Sequence, residues 1–197
     1  MTDINSGLLV YHPAMNNHGL AAGVFTFQVQ DDDGTANGGQ DTDQTPNTMT
    51  IDITSVNDAP VGTGNTVTAT EDIPFVFSLT DFGFTDPDDT IAPNNFQGVV
   101  ITTLPVNGTL TLLGVPVVAG QTVVLADIPN LEFLNALNDN GVAYDSFRFQ
   151  VVDDGGTANG GVDTDITPRT MTIDVTAVDD PPVLDVNAGM ADRKSVV

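Results

Sequence analysis

The sequence predicts an all-β fold, a Greek-key antiparallel β-sandwich that repeats in tandem. Three observations favour this fold. Short segments alternate apolar and polar residues, glycine and proline interrupt the chain at roughly every eight to twelve residues, and one long segment occurs twice. The chain of 197 residues contains 19 glycines and 12 prolines. No segment has a convincing helical period, so strands joined by turns are the expected elements.

The internal repeat sets the domain organisation. Residues 25–61 and 147–183 align without a gap at an offset of 122 residues, with 27 identities over 37 positions. A repeat of this length is a whole domain rather than one turn of a solenoid. We therefore expect residues 1–60 to be the incomplete closing half of one repeat and residues 61–182 to be a complete repeat. Residues 183–197 are expected to begin the next repeat or to form a disordered tail.

Alternation places the strands of the complete repeat. In TMTIDVTAV, Met171, Ile173 and Val175 face one way, and the polar residues between them face the other. The dipeptide Asn107-Gly108 predicts a hairpin turn between two strands. We expect Asp174 and its counterpart Asp52 to be simply solvent-facing, and residues 126–138 to be mostly turn and short strand. The predicted strands are 65–70, 74–79, 97–103, 109–113, 115–118, 121–125, 131–134, 145–152 and 169–178.

The charge of the chain excludes several classes of protein. Four basic and 27 acidic side chains give a net charge of −23. Such a polyanion repels phosphate backbones and anionic lipid surfaces, so we expect neither nucleic-acid binding nor membrane association. The sequence has no apolar run of about 18 residues, so membrane insertion is not expected. Cysteine is absent, which excludes disulfides and thiolate sites.

The aspartates collect where predicted strands end. Two follow strand 145–152, two more lie in the glycine-rich segment after it, and a further group follows strand 74–79. Clustered carboxylates with an Asn and flexible glycines are the hard oxygen ligands that Ca²⁺ prefers. Zinc would need His or Cys, and only His12 and His18 are present. Solvated turns are the alternative interpretation. The candidate ligands are Asn57, Asp58, Asp86, Asp88, Asp89, Asp153, Asp154, Asp163 and Asp165, with Asp31 and Asp32 in the first copy.

The sequence resembles cadherin-like repeats. FQVVDDGG…TMTIDVTAVDDPP is similar to their closing half, TATEDIP (68–74) to their opening strand, and FTDPDD (84–89) to the acidic loop after their second strand. Repeats punctuated by VNDAP recur in very large bacterial surface adhesins. The stretch around residues 101–128 is similar to chondroitin-sulfate-proteoglycan-type repeats.

The resemblance implies an immunoglobulin/cadherin-like Greek-key sandwich and calcium sites at the junctions between repeats. The linker at Asn57-Asp58 would share an ion with Asp86, Asp88 and Asp153 of the following repeat. Glu71 would lie at the other end of that repeat, with Asp179 and Asp180 of the next linker. It further implies an extracellular or cell-surface location, neighbouring repeats of the same chain as partners, and a role in cell adhesion.

Two other functions stay open at this point. The repeat could be a calcium-dependent glycan-binding module, or a purely structural spacer without metal. Another cell-surface protein or glycan also stays open as a partner. The chain has no Trp and only two Tyr, which disfavours a glycan groove lined by aromatic rings. We do not expect an enzyme, because exposed aspartate loops lack the desolvated acid that a glycosidase needs.

Overall fold

The structure is a computed structural model that describes residues 5–89 and 93–181. It is mostly β with several antiparallel sheets, which confirms the predicted β-sandwich class. The Greek-key path stays a prediction, and the segment 183–197 lies outside the described residues. The described strands are β1 (Gly19–Phe27), β2 (Asn47–Ile53), β3 (Val61–Thr63), β4 (Asn65–Thr70), β5 (Phe75–Val76), β6 (Gly83–Thr85), β7 (Phe96–Thr103), β8 (Gly108–Leu112), β9 (Val115–Pro116), β10 (Gln121–Val124), β11 (Leu131–Asn135), β12 (Gly141–Asp153) and β13 (Arg169–Thr176).

The chain divides into two compact units. Unit 1 comprises Met1–Ala59 together with the loops Asp86–Asn95 and Asp154–Asp163. Unit 2 comprises Pro60–Thr85, Phe96–Asp153 and Thr164–Val197. The division at Ala59 and Pro60 falls within the VNDAP linker. Within the part of the chain that the structure describes, no helix has the length and apolar character needed to cross a bilayer.

Unit 2 is the sandwich. Its five-stranded sheet has the order β10-β7-β12-β13-β4, and its four-stranded sheet has the order β5-β11-β8-β9. A further two-stranded sheet pairs β3 with β6. Alternation in β12 buries Phe147, Phe149 and Val151 while the residues between them are more exposed. The phenyl rings of Phe147 and Phe149 meet those of Phe77 and Phe82 edge to face, with centroids 5.5 and 4.9 Å apart. These inward residues form one core with Leu131 and Phe133 of the other sheet, as well as Val67, Ala69, Val99, Ile101, Leu110, Val117, Val123, Ile128, Met171, Ile173 and Val175.

The five-stranded sheet has one parallel pair, so it departs from a wholly antiparallel arrangement. β13 and β4 run parallel from the pair Met171–Asn65 to the pair Thr176–Thr70. Parallel strands need a long crossover, and here the connection is nearly the whole repeat. The alternation in each strand predicts which residues are buried, but it carries no signal of strand direction.

The Asn107-Gly108 hairpin prediction is wrong. Strands β7 and β8, which flank this dipeptide, belong to different sheets. The chain turns a corner here because the buried Asp145 carboxylate accepts backbone N–H groups from Val106, Asn107 and Gly108 at 2.8–3.0 Å. The two-residue turn of this sheet is instead Leu113-Gly114, between β8 and β9, with φ of 52° and 77°.

Unit 1 contains the β1–β2 hairpin, which reproduces β12–β13. Phe25 pairs with Met49 as Phe147 pairs with Met171. Each copy has a bulge where an alanine adopts positive φ: 51° at Ala21 in β1 and 47° at Ala143 in β12.

The bulges correct the expectation that Asp52 and Asp174 are simply solvent-facing. The backbone N–H of Ala21 donates to Asp52 at 2.8 Å, and that of Ala143 donates to Asp174 at 2.7 Å. Each carboxylate therefore satisfies an N–H group that the bulge removes from the strand ladder. Both aspartates have a structural role in their hairpins.

Candidate functional site

Two loops of unit 1 form hydrogen bonds with the linker that follows the first copy. Its Asn57 exchanges two hydrogen bonds with Val162, from Val162 N to Asn57 O at 3.0 Å and from Asn57 Nδ2 to Val162 O at 2.8 Å. The next residue, Asp58, donates its backbone N–H to Asp89 Oδ2 at 2.9 Å. The linker therefore contacts both the loop that follows β6 and the loop that follows β12.

A glycine makes this close approach possible. A side chain on Gly155 would overlap the side-chain amides of Asn57 and Asn94, which are hydrogen-bonded to each other. A Cβ on Gly161 would lie 3.1 Å from the Cβ of Asn57. The glycine-rich segment after β12 thus leaves room for the linker amide, in addition to any flexibility it provides.

Carboxylates crowd around Asp58. The pKa of Asp58 is raised, first by partial burial and then by repulsion from the negative charges of Asp89, Asp88 and Asp86. Four of the predicted ligands are therefore grouped together, close enough for the charges of Asp86, Asp88 and Asp89 to act on Asp58. Asp89 is only 7% exposed, which limits how far water can screen it.

One oxygen in this group has no hydrogen-bond partner among residues 5–89 and 93–181. Asp86 Oδ2 accepts the backbone N–H of Asn94 at 2.8 Å, while Asp86 Oδ1 is buried and accepts no hydrogen bond from the part of the chain that the structure describes. A buried carboxylate oxygen without a hydrogen-bond donor destabilises the fold, because it has lost its hydrogen bonds to water and no other group replaces them. A cation is one partner that would satisfy it.

The remaining predicted ligands of unit 1 differ in their availability. Asp154 accepts the backbone N–H and the side-chain amide of Asn95 at 2.6 and 3.1 Å. These hydrogen bonds lower the pKa of Asp154 and fix it as a cap for the neighbouring loop. Asp163 lies half-buried in the same unit.

A cleft of about 310 Å³ borders the carboxylate group. It is lined by residues 13–18 and 54–56 together with Asp58, Asp88 and Asp89. Asn16 Nδ2 lies 3.4 Å from Asp88 Oδ1 across part of it. Part of the lining presents carboxylate, amide and hydroxyl oxygens, which suit a hard cation, and the rest is apolar surface from Pro13, Ala14, Met15 and Val56.

In the first copy, the acidic strand end forms a local turn. Asp31 Oδ1 accepts the backbone N–H of Asp33 at 3.1 Å, and Asp31 N donates to Asp41 O at 2.8 Å. Asp32, between them, is exposed. The structure does not bring Asp31 and Asp32 into the group around Asp58.

The predicted ligands at the end of β12 and just before β13 lie in unit 2 and have structural surroundings. Asp153 is completely buried at the end of β12. Asp165 forms an ion pair of 2.8 Å with Arg169 and accepts backbone N–H groups from Gly62 and Thr167 at 2.8 and 2.9 Å. Burial raises the pKa of Asp165, but the bonds from Arg169, Thr167 and Gly62 outweigh burial and hold it below its usual value. Asp165 is therefore engaged in holding the strands of unit 2.

Glu71 lies against the following linker, at another position in unit 2. It is 2% exposed, and its carboxylate accepts the backbone N–H of Val178 at 2.5 Å and the Asn140 amide at 2.7 Å. The backbone N–H of Glu71 donates to Thr176 O at 3.0 Å. The strand that opens the repeat is thereby tied to the linker that leaves it.

Next to Glu71, a second pair of carboxylates shares one amide. With the Asn138 amide oriented so that its nitrogen faces them, Nδ2 lies 3.2 Å from Asp180 Oδ2 and 3.1 Å from Asp72 Oδ2. Asp179 is exposed in the same linker. Sequence reasoning missed the asparagines of both groups, Asn94, Asn95, Asn138 and Asn140, because single amides in polar loops carry no pattern.

The carboxylate and amide oxygens of the group around Asp58 are of the type that Ca²⁺ prefers. The carboxylates are not, however, arranged around one point. Among residues 5–89 and 93–181, no set of three or more His, Cys, Asp or Glu side chains is arranged to hold a metal ion. No family model, curated protein sequence or solved structure matches the chain.

Proposed function

We propose that the chain is a calcium-binding extracellular repeat of the kind found in large bacterial surface adhesins, with calcium stiffening the junctions between repeats. The observation that carries the proposal is the grouping of carboxylates at the linker, where the backbone N–H of Asp58 donates to Asp89 Oδ2 at 2.9 Å and the charges of Asp86, Asp88 and Asp89 act on the Asp58 carboxyl. These carboxylates are held together by loops and a linker, although their charges repel one another. In a protein of net charge −23, a bound cation is the direct relief of that repulsion.

The carboxylates near Asp58 would have different roles at the junction. Asp89 and Asp86 are fixed by backbone N–H groups of the linker and of Asn94, so they supply oxygens whose positions are set by the fold. Asp88 is exposed, so its side chain can turn without disturbing the core. A calcium ion would supply the positive charge that these carboxylates share. The linker at Asp58 would then be held to the loop after β6 by more than one backbone hydrogen bond.

Glu71 supports the same proposal at the next linker. A buried glutamate tied to Val178, with Asp72 and Asp180 close by, sets acidic groups against a second linker of the same type. A repeat with acidic groups against the linkers before and after it suits an array in which neighbouring repeats of one chain are the partners. Extracellular calcium modules bind at roughly 10⁻⁴–10⁻³ M, which matches calcium outside cells.

Thermal unfolding in defined cation conditions tests the proposal. The intact chain is melted in EGTA, in millimolar MgCl₂ and in millimolar CaCl₂, and direct binding is measured by titration calorimetry. A ligand that binds only the folded state stabilises it by about 2.7 kcal/mol at a hundredfold excess over Kd. We expect CaCl₂ to raise the midpoint of unit 1 and MgCl₂ to raise it much less.

Matched variants locate the effect. Asp58→Asn and Asp88→Asn should each reduce the calcium-induced shift, because each removes a charge from the group. Asp127→Asn is the control, because it removes one charge from a 3₁₀ turn of unit 2. Identical midpoints of the natural chain in EGTA and CaCl₂ would refute calcium binding and leave the metal-free spacer as the function.

A further inference from the structure

The β1–β2 hairpin has an apolar face whose counterpart is the core of unit 2. Four inward-type residues of this hairpin are between 36% and 59% exposed, whereas the four aligned residues of β12–β13 are at most 1% exposed. We call the former set the open face. It consists of Phe25, Phe27, Val29 and Met49, which align with Phe147, Phe149, Val151 and Met171.

We infer that the open face is a docking surface for the opening half of a like repeat, a segment with the sequence pattern of residues 61–140. Unit 2 shows what covers such a face, because the strands that pack most extensively on β12–β13 there, β7, β4 and β3, come from this range. β7 pairs with β12 and β4 pairs with β13. Phe77 and Phe82 place their rings on Phe147 and Phe149.

The first copy retains the residues that this docking needs. All four residues of the open face are identical to their partners in unit 2, and the next inward position is Ile51 in one copy and Ile173 in the other. The inward exception is Ile53 in place of Val175, a difference of one methylene. Changes such as Thr26 in place of Arg148 fall on the other side of the strand.

The edges of the hairpin match as well. β1 and β2 form a two-stranded sheet in the described residues, whereas β12 and β13 each have an additional neighbour. Phe25 and Phe27 contact each other, with ring centroids 6.3 Å apart. A two-stranded hairpin is marginally stable by itself, so added strands and a covering sheet would stabilise it.

Hydrogen exchange of an extended chain tests the inference. In the extended chain, a second copy of residues 61–140 precedes Gly19 and takes the place of residues 1–18. Each of the two hairpins is then preceded by an opening half. We expect the amides of β1–β2 to exchange about 100-fold more slowly than in the natural chain and to approach the protection of β12–β13. The measurement is made in EGTA, so its outcome does not depend on the proposed calcium sites.

Two controls keep the test decisive. Protection of β12–β13 in the same molecule shows that the extended chain is folded; unchanged exchange of β1–β2 beside it would overturn the inference. Phe27→Asp should abolish the gained protection in the extended chain and change little in the natural chain, where Phe27 is already exposed. Sedimentation of the natural chain tests whether the open face instead binds the open face of a second molecule. A dimer in which β1–β2 is protected would show that it does, and would also overturn the inference.

Discussion

Replacing Asp145 with alanine is expected to destabilise unit 2 strongly. This carboxylate is 7% exposed and accepts the N–H groups of Val106, Asn107 and Gly108 where the chain passes from one sheet to the other. It also accepts the N–H of Ser146 at 2.8 Å. Alanine would leave three backbone donors of the corner without their acceptor.

The size of the effect follows from the number of bonds. A hydrogen bond to a charged group contributes about 1.5–3 kcal/mol, and three bonds at the lower end of this range give about 4–5 kcal/mol. Water can reach part of the corner after truncation, so the lower end is the appropriate choice. For a domain of this size, the loss corresponds to a fall in Tm of roughly 10–20 °C.

Urea unfolding and calorimetry measure this loss. Asp145→Asn keeps one acceptor oxygen and should lose about half as much, whereas Asp127→Ala, in a 3₁₀ turn of the same unit, should lose less than about 0.5 kcal/mol. A loss below about 1 kcal/mol for Asp145→Ala would refute the assignment of Asp145 as the residue that holds the corner.

Three further predictions concern pH and packing. The pKa of Asp58 is raised, so in EGTA the stability of unit 1 should fall as the pH rises from the ordinary 3.8 through the folded value; Asp58→Asn should remove this dependence in urea titrations. The pKa of Asp165 is lowered, so its contribution to unit 2 is present above 3.8 and is lost as the pH falls through the folded value. Asp165→Asn should flatten that acid limb, and an unchanged limb would contradict the role of the Arg169 ion pair. Phe149→Ala should cost about 3–5 kcal/mol by calorimetry, and Phe27→Ala less than about 1 kcal/mol, because Phe27 is 36% exposed while Phe149 is buried; equal losses would show that the two copies are equally packed.

The sequence carried most of the information about strand positions. Alternation placed β4 at residues 65–70 and β7 at 97–103, within one residue of the observed bounds. The expected turn and short strand over 126–138 is observed as the 3₁₀ turn Leu125–Asn130 followed by β11. Strands β3 and β6 were missed because three residues are too few to establish a period.

The pairing of strands and the roles of single polar residues could not be predicted in this way. Asn107-Gly108 has the composition of a hairpin turn, but a carboxylate 37 residues away makes it a corner between sheets. At the proposed site, the sequence placed Asp86, Asp88 and Asp89 at a strand end, and the structure sets them close to Asp58. What separates an available carboxylate from an engaged one is a neighbour such as Asn95 or Arg169, and no local pattern encodes that neighbour.

The parallel pairing of β4 with β13 has a mechanical consequence. β4 lies near the start of unit 2 and β13 is its last described strand, and the two strands lie side by side over six residue pairs. Tension applied at the start of β4 and at the end of β13 would therefore load these pairs in shear. Their hydrogen bonds would then have to break together instead of one at a time. Thr176 adds a side-chain hydrogen bond to Ala69 O at 3.0 Å across the same seam. A repeat with this strand pairing would resist unfolding under tension along the direction in which an array of repeats would transmit force.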